Sequence, residues 1–193
     1  MIKVGITGNI GSGKTWVCKI FEALGTPIFY ADLEARKILH SPASIREIRH
    51  LFGDEVIKNQ VEIDRKKLAA IVFSNAQELH KLNQLIHPKL REHFLQWAED
   101  QNHAPYVIQE AAILFENGFD STVDQTITIA APKDIRLKRV MERDHATREE
   151  VLARMKHQWP DKKKEQAADH LIINDGHHMV LPQVLNIHQK FIQ

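Results

Sequence analysis

The chain has 193 residues, 43% hydrophobic and 26% charged, with a formal net charge of +1. That length suits one compact domain with a small insertion, and the near-neutral charge removes any general electrostatic case for a nucleic-acid or membrane-surface binder. A single cysteine, Cys18, excludes an intrachain disulfide framework, and no apolar run reaches the ~18 residues of a membrane span.

The N-terminus enters a strand directly, with no signal-peptide pattern, so a cytoplasmic protein is expected, and no obligate protein partner is evident. The 12 histidines show neither H-x-x-x-H nor H-E-x-x-H spacing, so they read as scattered surface residues.

Ile2, Val4 and Ile6 predict a short buried first strand. Directly after it, Gly8-Asn9-Ile10-Gly11-Ser12-Gly13-Lys14-Thr15 fits G-x-x-x-x-G-K-[ST] at every fixed position. Glycines let such a loop turn its N–H groups into one anion-sized hollow, and the helix that follows adds its dipole. The motif implies the β- and γ-phosphates of a nucleoside triphosphate, with Lys14 reaching them and the Thr15 hydroxyl on Mg²⁺. Val17, Ile20, Phe21 and Leu24 recur at helical spacing, and Gly25 ends that helix.

A second strand is expected over 26–30 and a helix over 32–39, stopped by Ser41-Pro42. Residues 43–103 contain no convincing strand run. They predict helices over 44–52, 65–73, 75–86 and 88–101, with Asp64 and Ser74 as N-caps and Pro88 in a first turn. Further strands are expected at 106–109, 125–130 and 171–173. Pro132 opens a helix to about 144, and the capping box Thr147-Arg148-Glu149-Glu150 opens another to about 159. Asn174-Asp175-Gly176 turns the chain into a closing helix.

Strands alternating with helices predict an α/β fold of the P-loop NTPase type. Its three αβα layers would surround a mostly parallel five-stranded sheet within a single domain over 1–193. That domain would carry a helical insertion at 43–103 and a short basic helical lid at 136–160.

A phosphate loop alone does not choose between kinase, ATPase and GTPase. The base-reading pattern N-K-x-D is absent, which disfavours a GTPase. Asp32 falls at the carboxyl end of the second strand, where ligands of such sheets bind. A carboxylate there can orient an acceptor hydroxyl and take its proton, although it also suits the first turn of the next helix.

Arg136, Lys138, Arg139, Arg143, Arg148, Arg154 and Lys156 form a cationic stretch, with Arg139 and Arg143 on one helix face. Such cations can close over a triphosphate. They can equally pair with the interleaved Glu142, Asp144, Glu149 and Glu150. Asn174-Asp175-Gly176 can present backbone groups to a nucleotide base or be a plain turn. Glu110 and Glu116 bracket the third strand's end, and their spacing assigns neither a role.

Several segments together resemble the dephospho-CoA kinase family along nearly the whole chain. Thr7 through Thr15 is similar to its T-G-G-I-G-S-G-K-[ST] loop, and Tyr30-Ala31-Asp32-Leu33-Glu34-Ala35-Arg36 to its D-A-D-x-x-A-R segment. Ile86-His87-Pro88 matches I-H-P, and Ile113-Leu114-Phe115-Glu116 resembles P-L-L-F-E. Arg136 through Arg143 resembles the lid helix, and Gln158 with Ala168 through Asn174 resembles Q…A-D-x-x-I-x-N.

The resemblance implies ATP as donor, Mg²⁺ as its ion and the ribose 3′-hydroxyl of dephospho-CoA as acceptor. It implies Asp32 as base, with Lys14 and Arg139 in the transfer step. Gly8, Gly11, Ser12, Gly13, Lys14, Thr15, Trp16, Arg143 and Asn174 would hold the nucleotide. Thr7, Arg36 and His87 would join Asp32 at the acceptor. The chain departs from the family pattern at Asn9, where a second glycine is usual, at Trp16, at Tyr30, and in the missing proline of Glu110-Ala111-Ala112-Ile113. Asn9 was expected to need an unusual backbone conformation, which asparagine tolerates better than most residues.

Overall fold

The computed structural model describes residues 1–59 and 61–193. Five strands form one sheet: β1 (Ile2–Thr7), β2 (Ile28–Tyr30), β5 (Tyr106–Glu110), β6 (Gln125–Ala130) and β7 (His170–Ile173), in the order β2-β5-β1-β6-β7. Every neighbouring pair is parallel. A parallel sheet needs both faces covered, and most positions of its strands are buried, polar ones such as Thr7, Gln109, Thr126 and Thr128 included.

On one face, Val4, Ile6, Ile108, Ile127, Ile129 and Ile172 pack with Val17, Cys18 and Phe21 of α1 (Lys14–Ala23) and Val184, Ile187 and Phe191 of α9 (Val180–Ile192). On β1's other face the approach is so close that a Cβ on Gly5 would lie 2.7 Å from Leu114 Cδ2. The strands after β1 lie on both sides of it, so the loop leaving β1 sits at the point where the strand order reverses.

The chain divides into two compact units, 1–30 with 97–193, and 31–96. The sheet lies in the first. The second begins with α2 (Ala31–Leu39), α3 (Pro42–Phe52) and α4 (Arg65–Ser74), and takes in most of α5 (Ala76–Asp100). Its core gathers Ile45, Ile48, Phe52, Val56, Ile63, Leu68 and Val72.

Sequence and structure differ at four places. Residues 57–58 and 62–63 pair as a small antiparallel ribbon, β3 and β4, inside the stretch expected to hold no strand. Two-residue strands are too short to show an alternating pattern. Pro88 does not open a helix but lies inside α5. The stripe Ile86, Leu90, Phe94 and Ala98 stays buried straight through it, and that packing outweighs the lost N–H.

The cap of α5 is Asn75, whose Oδ1 accepts from Gln77 N at 2.9 Å. Ser74 still belongs to α4 and donates to Ile71 O. Finally, α7 (Arg148–Met155) keeps its full capping box but ends short of 159, and a further helix α8 (Asp161–Ala167) follows Pro160. Pro160 keeps Trp159 out of helical conformation.

Candidate active site

The loop between β1 and α1 is shaped by its glycines and by side chains that grip it from outside. Gly13 stands as the N-cap of α1 at φ 94°, and no side chain caps that helix end. A first turn left uncapped in this way keeps amides available to an anion. Gly11 approaches α6 (Lys133–Asp144) so closely that a Cβ would lie 2.5 Å from Arg136 O. Ser12 N donates to Asn9 O at 3.0 Å, and Trp16 N to Gly13 O at 3.0 Å, so these two amides serve the loop's own turns. Ser12 Oγ is buried and finds no hydrogen-bond partner among the described residues, so it can accept from or donate to a bound group. Lys14 Nζ folds back on Gly8 O at 2.8 Å, and the Thr15 and Trp16 side chains are exposed.

Arg139 and Asn174 meet at the loop. Arg139 donates to Asn174 O at 3.1 Å and Gly11 O at 3.5 Å, and Asn174 Nδ2 donates to Ser12 O at 2.8 Å. Arg143, by contrast, makes a two-pronged pair with Asp144 at 2.7 and 3.1 Å. That pair holds the Asp144 carboxyl below the usual carboxylate range. Asp175 accepts from the amides of His178 and His177 and from the His178 ring, which together hold its carboxyl well down. The Asn174-Asp175-Gly176 segment is therefore a locked turn as well as a loop neighbour.

Arg136, one of the lid-stretch cations, is 3% exposed and acts as a strut. It donates to Ala131 O at 2.9 Å and Ile10 O at 3.3 Å, and pairs with Asp161 at 2.5 Å. Sequence reasoning missed Asp161 and Lys164 because α8 itself carries no clear apolar period. Lys164 is 1% exposed and contacts Glu116 Oε1 at 2.9 Å and Ala112 O at 2.8 Å. Burial pushes its ammonium below the usual lysine value, and Glu116 works against that. Glu116 also accepts from Trp159 N at 2.9 Å. Thr7 is fully buried, with its hydroxyl on Ala112 O at 3.3 Å. The segment that lacks the family's proline thus supplies a carbonyl where Thr7, Gln158 and Lys164 converge.

The remaining candidates lie in the unit 31–96. Asp32 is in the first turn of α2, two residues past the end of β2, and is exposed. Arg36, four residues on, shares its helix face and is also exposed. Glu34 ties α2 to α5 through His93 at 3.0 Å and pairs with Lys37 at 2.7 Å. Burial would raise the Glu34 carboxyl, but the Lys37 and His93 hydrogen bonds outweigh it and hold it low. His87 is half-buried on α5, where burial, then the Arg91 charge, push its imidazole below the usual value. Both effects disfavour the charged form of the ring.

Among the described residues no group of three or more His, Cys, Asp or Glu side chains is placed to hold a metal, and no helix is long and apolar enough to cross a membrane. An ion here would rest on the Thr15 hydroxyl and on phosphate oxygens, which suits a hard cation such as Mg²⁺ that keeps most of its waters.

Comparison with known proteins decides the family. The family model for dephospho-CoA kinase matches residues 2–179. The dephospho-CoA kinase of Chlorobaculum tepidum is 42% identical over 180 residues, covering 90% of this chain and 86% of that protein. The chain belongs to the dephospho-CoA kinase family.

Solved structures agree. A protein from Thermus thermophilus superposes with a TM-score of 0.90 at 33% identity, covering 100% of this chain and 98% of that one. The dephospho-CoA kinase of Campylobacter jejuni gives 0.72 at 29%, covering 97% and 96%. Within this kinase family the departures gain physical reasons. Tyr30, in place of an aspartate, donates to Glu22 at 3.0 Å, and burial with that bond pushes its phenol up. Asn9 has no positive φ, contrary to the expectation of an unusual backbone there; its side chain is what matters.

Proposed function

We propose that the protein transfers the γ-phosphoryl group of ATP to the ribose 3′-hydroxyl of dephospho-CoA, giving coenzyme A and ADP. The observation that carries this reading is an intact phosphate loop in a chain of the dephospho-CoA kinase family. The bond from the 3′-oxygen to the γ-phosphorus forms as the bond to the β,γ-bridging oxygen breaks. The hydroxyl proton passes to the Asp32 carboxylate.

The loop amides of Gly8, Gly11, Gly13 and Thr15 hold the phosphates, with the Ser12 hydroxyl beside them and Trp16 at the margin. Lys14 and Arg139 balance the charge that builds on the transferring group. Arg143 joins them once it leaves Asp144, and Asn174 lies against the nucleotide base. The Thr15 hydroxyl would hold Mg²⁺, which would supply further neutralisation of phosphate charge. Thr7, Arg36 and His87 serve the acceptor. In this reading the whole chain is one kinase domain, with 43–103 receiving the acceptor, 136–160 acting as lid, and the cytoplasm as its site of action.

The test is a turnover assay with Mg-ATP and dephospho-CoA, using AMP, CMP and adenosine as rival acceptors, followed by Asp32→Asn. Equimolar coenzyme A and ADP from dephospho-CoA alone is expected. Asp32→Asn should lower turnover on the order of 10²–10⁴-fold while ATP binding persists. Phosphorylation of a rival acceptor instead would overturn the substrate, and unchanged turnover in the variant would remove Asp32 as base.

A further inference from the structure

We infer that Asn9 is a positioning residue for the nucleotide, holding the phosphate loop in its receiving shape before ATP arrives. This rests on the reading that the loop binds ATP. Position 9 is a free position of the phosphate-loop motif, and a glycine there could make none of the side-chain contacts of Asn9.

Asn9 is 6% exposed, and its side-chain amide donates to Trp159 O at 2.9 Å and to Asp161 Oδ1 at 2.6 Å. An NH₂ group has two protons, so both are used. The other oxygen of Asp161 takes Arg136, and Arg136 donates back to Ile10 O, the residue after Asn9. The ring Asn9–Asp161–Arg136–Ile10 therefore closes on the loop itself. Gln158 Oε1 accepts from Ile10 N at 2.8 Å and grips the same residue from its other side. Asn9's own carbonyl receives Ser12 N, so one residue anchors the loop outward and folds it inward.

Packing provides only part of this hold, through Ile10 against Leu137, Val140 and Val151. A cavity of about 420 Å³ opens beside Asn9, walled by Arg136, Met155, Lys156, Trp159 and Asp161. On that side the loop rests on hydrogen bonds. Two of them involve a carboxylate, and such charge-assisted bonds are stronger than neutral ones. A loop already fixed in its bound shape loses less entropy when phosphate enters.

The experiment is Asn9→Ala in steady-state kinetics with both substrates varied, beside thermal unfolding. Asn9 has no positive φ, so alanine fits the backbone without strain. The expected result is a KM for ATP raised about tenfold, with an unchanged KM for dephospho-CoA. A merely structural role would lower the unfolding temperature and leave the ATP constant in place; that result overturns the inference, as does wild-type ATP affinity. If Asn9→Ala does not fold, Asn9→Ser keeps one donor and is read the same way, with a smaller rise expected and an unchanged KM overturning the inference. Failure of the unaltered protein to bind ATP would instead overturn the nucleotide reading, and this inference with it.

Discussion

The two units treat their candidate functional groups in opposite ways. In the sheet-bearing unit, the phosphate loop is gripped by Asn9, Arg136, Gln158, Arg139 and Asn174 through part-buried hydrogen bonds. In the helical unit 31–96, Asp32 and Arg36 stand exposed on α2, and the ion pairs that tie its helices together lie at the surface. On the proposed function, the difference follows from what each group would recognise. Phosphate is bound by backbone amides, which act only if the backbone is fixed in advance. A ribose hydroxyl is met by a side chain, which needs only a helix to stand on.

The largest break in this comparison should come from Lys14→Ala. On the proposed mechanism it removes a charge that serves the transition state, from a loop that other residues already hold. We expect kcat to fall on the order of 10³-fold with an unchanged unfolding temperature, checked by single-turnover kinetics beside calorimetry. A lysine that instead braces the loop through Gly8 would give the reverse, lower stability with kinetics intact.

Ion pairs give the next contrast, because the same chemistry occurs at two depths. Lys164 and Glu116 have side chains 1% and 12% exposed. Lys164→Met leaves the Glu116 carboxylate buried without its cation and should cost about 3–5 kcal/mol in denaturant unfolding. The surface pair Lys37–Glu34, with Lys37 72% exposed, should behave otherwise. Lys37→Met should cost about 0–1 kcal/mol. Equal costs would mean that burial is not what separates the two units.

What could be read in the sequence follows the same division. The phosphate loop is a contiguous motif, and β6 is a contiguous β-branched run, so both are visible without tertiary information. The capping box at Thr147 is equally local. The grip on the loop is not: Asn9 and Asp161 are 152 positions apart, and nothing in either neighbourhood points to the other. Lys164 looks like one more surface lysine in Asp161-Lys162-Lys163-Lys164 until β6 closes over it, with Thr128 donating to its carbonyl. Pro88 misled because a local helix-breaking signal competed with a buried stripe that only the packed helix reveals. Asp32 was legible as a position past the second strand, while the arrangement of α2 against α5 through Glu34 and His93 was not.

His87 gives the smallest and most specific test, since among the candidate acceptor residues of the unit 31–96 it alone is partly withdrawn from solvent. Burial is the main cause of its lowered pKa and the Arg91 charge the lesser one. The folded protein therefore binds fewer protons at this site than the unfolded chain just below pH 6.5, the ordinary value. Stability rises with pH across that window, and is lost as the pH falls from 6.5 toward the folded-state pKa. An NMR titration of the His87 ring should give a midpoint below 6.5. Arg91→Ala should recover only the smaller part of the shift, because the surrounding helix still excludes water from the ring. A midpoint restored to the ordinary value by that one change would mean that charge, not burial, sets the protonation of His87. The residue would then resemble the exposed Asp32 and Arg36, and the contrast between the units would hold for every candidate residue of the unit 31–96.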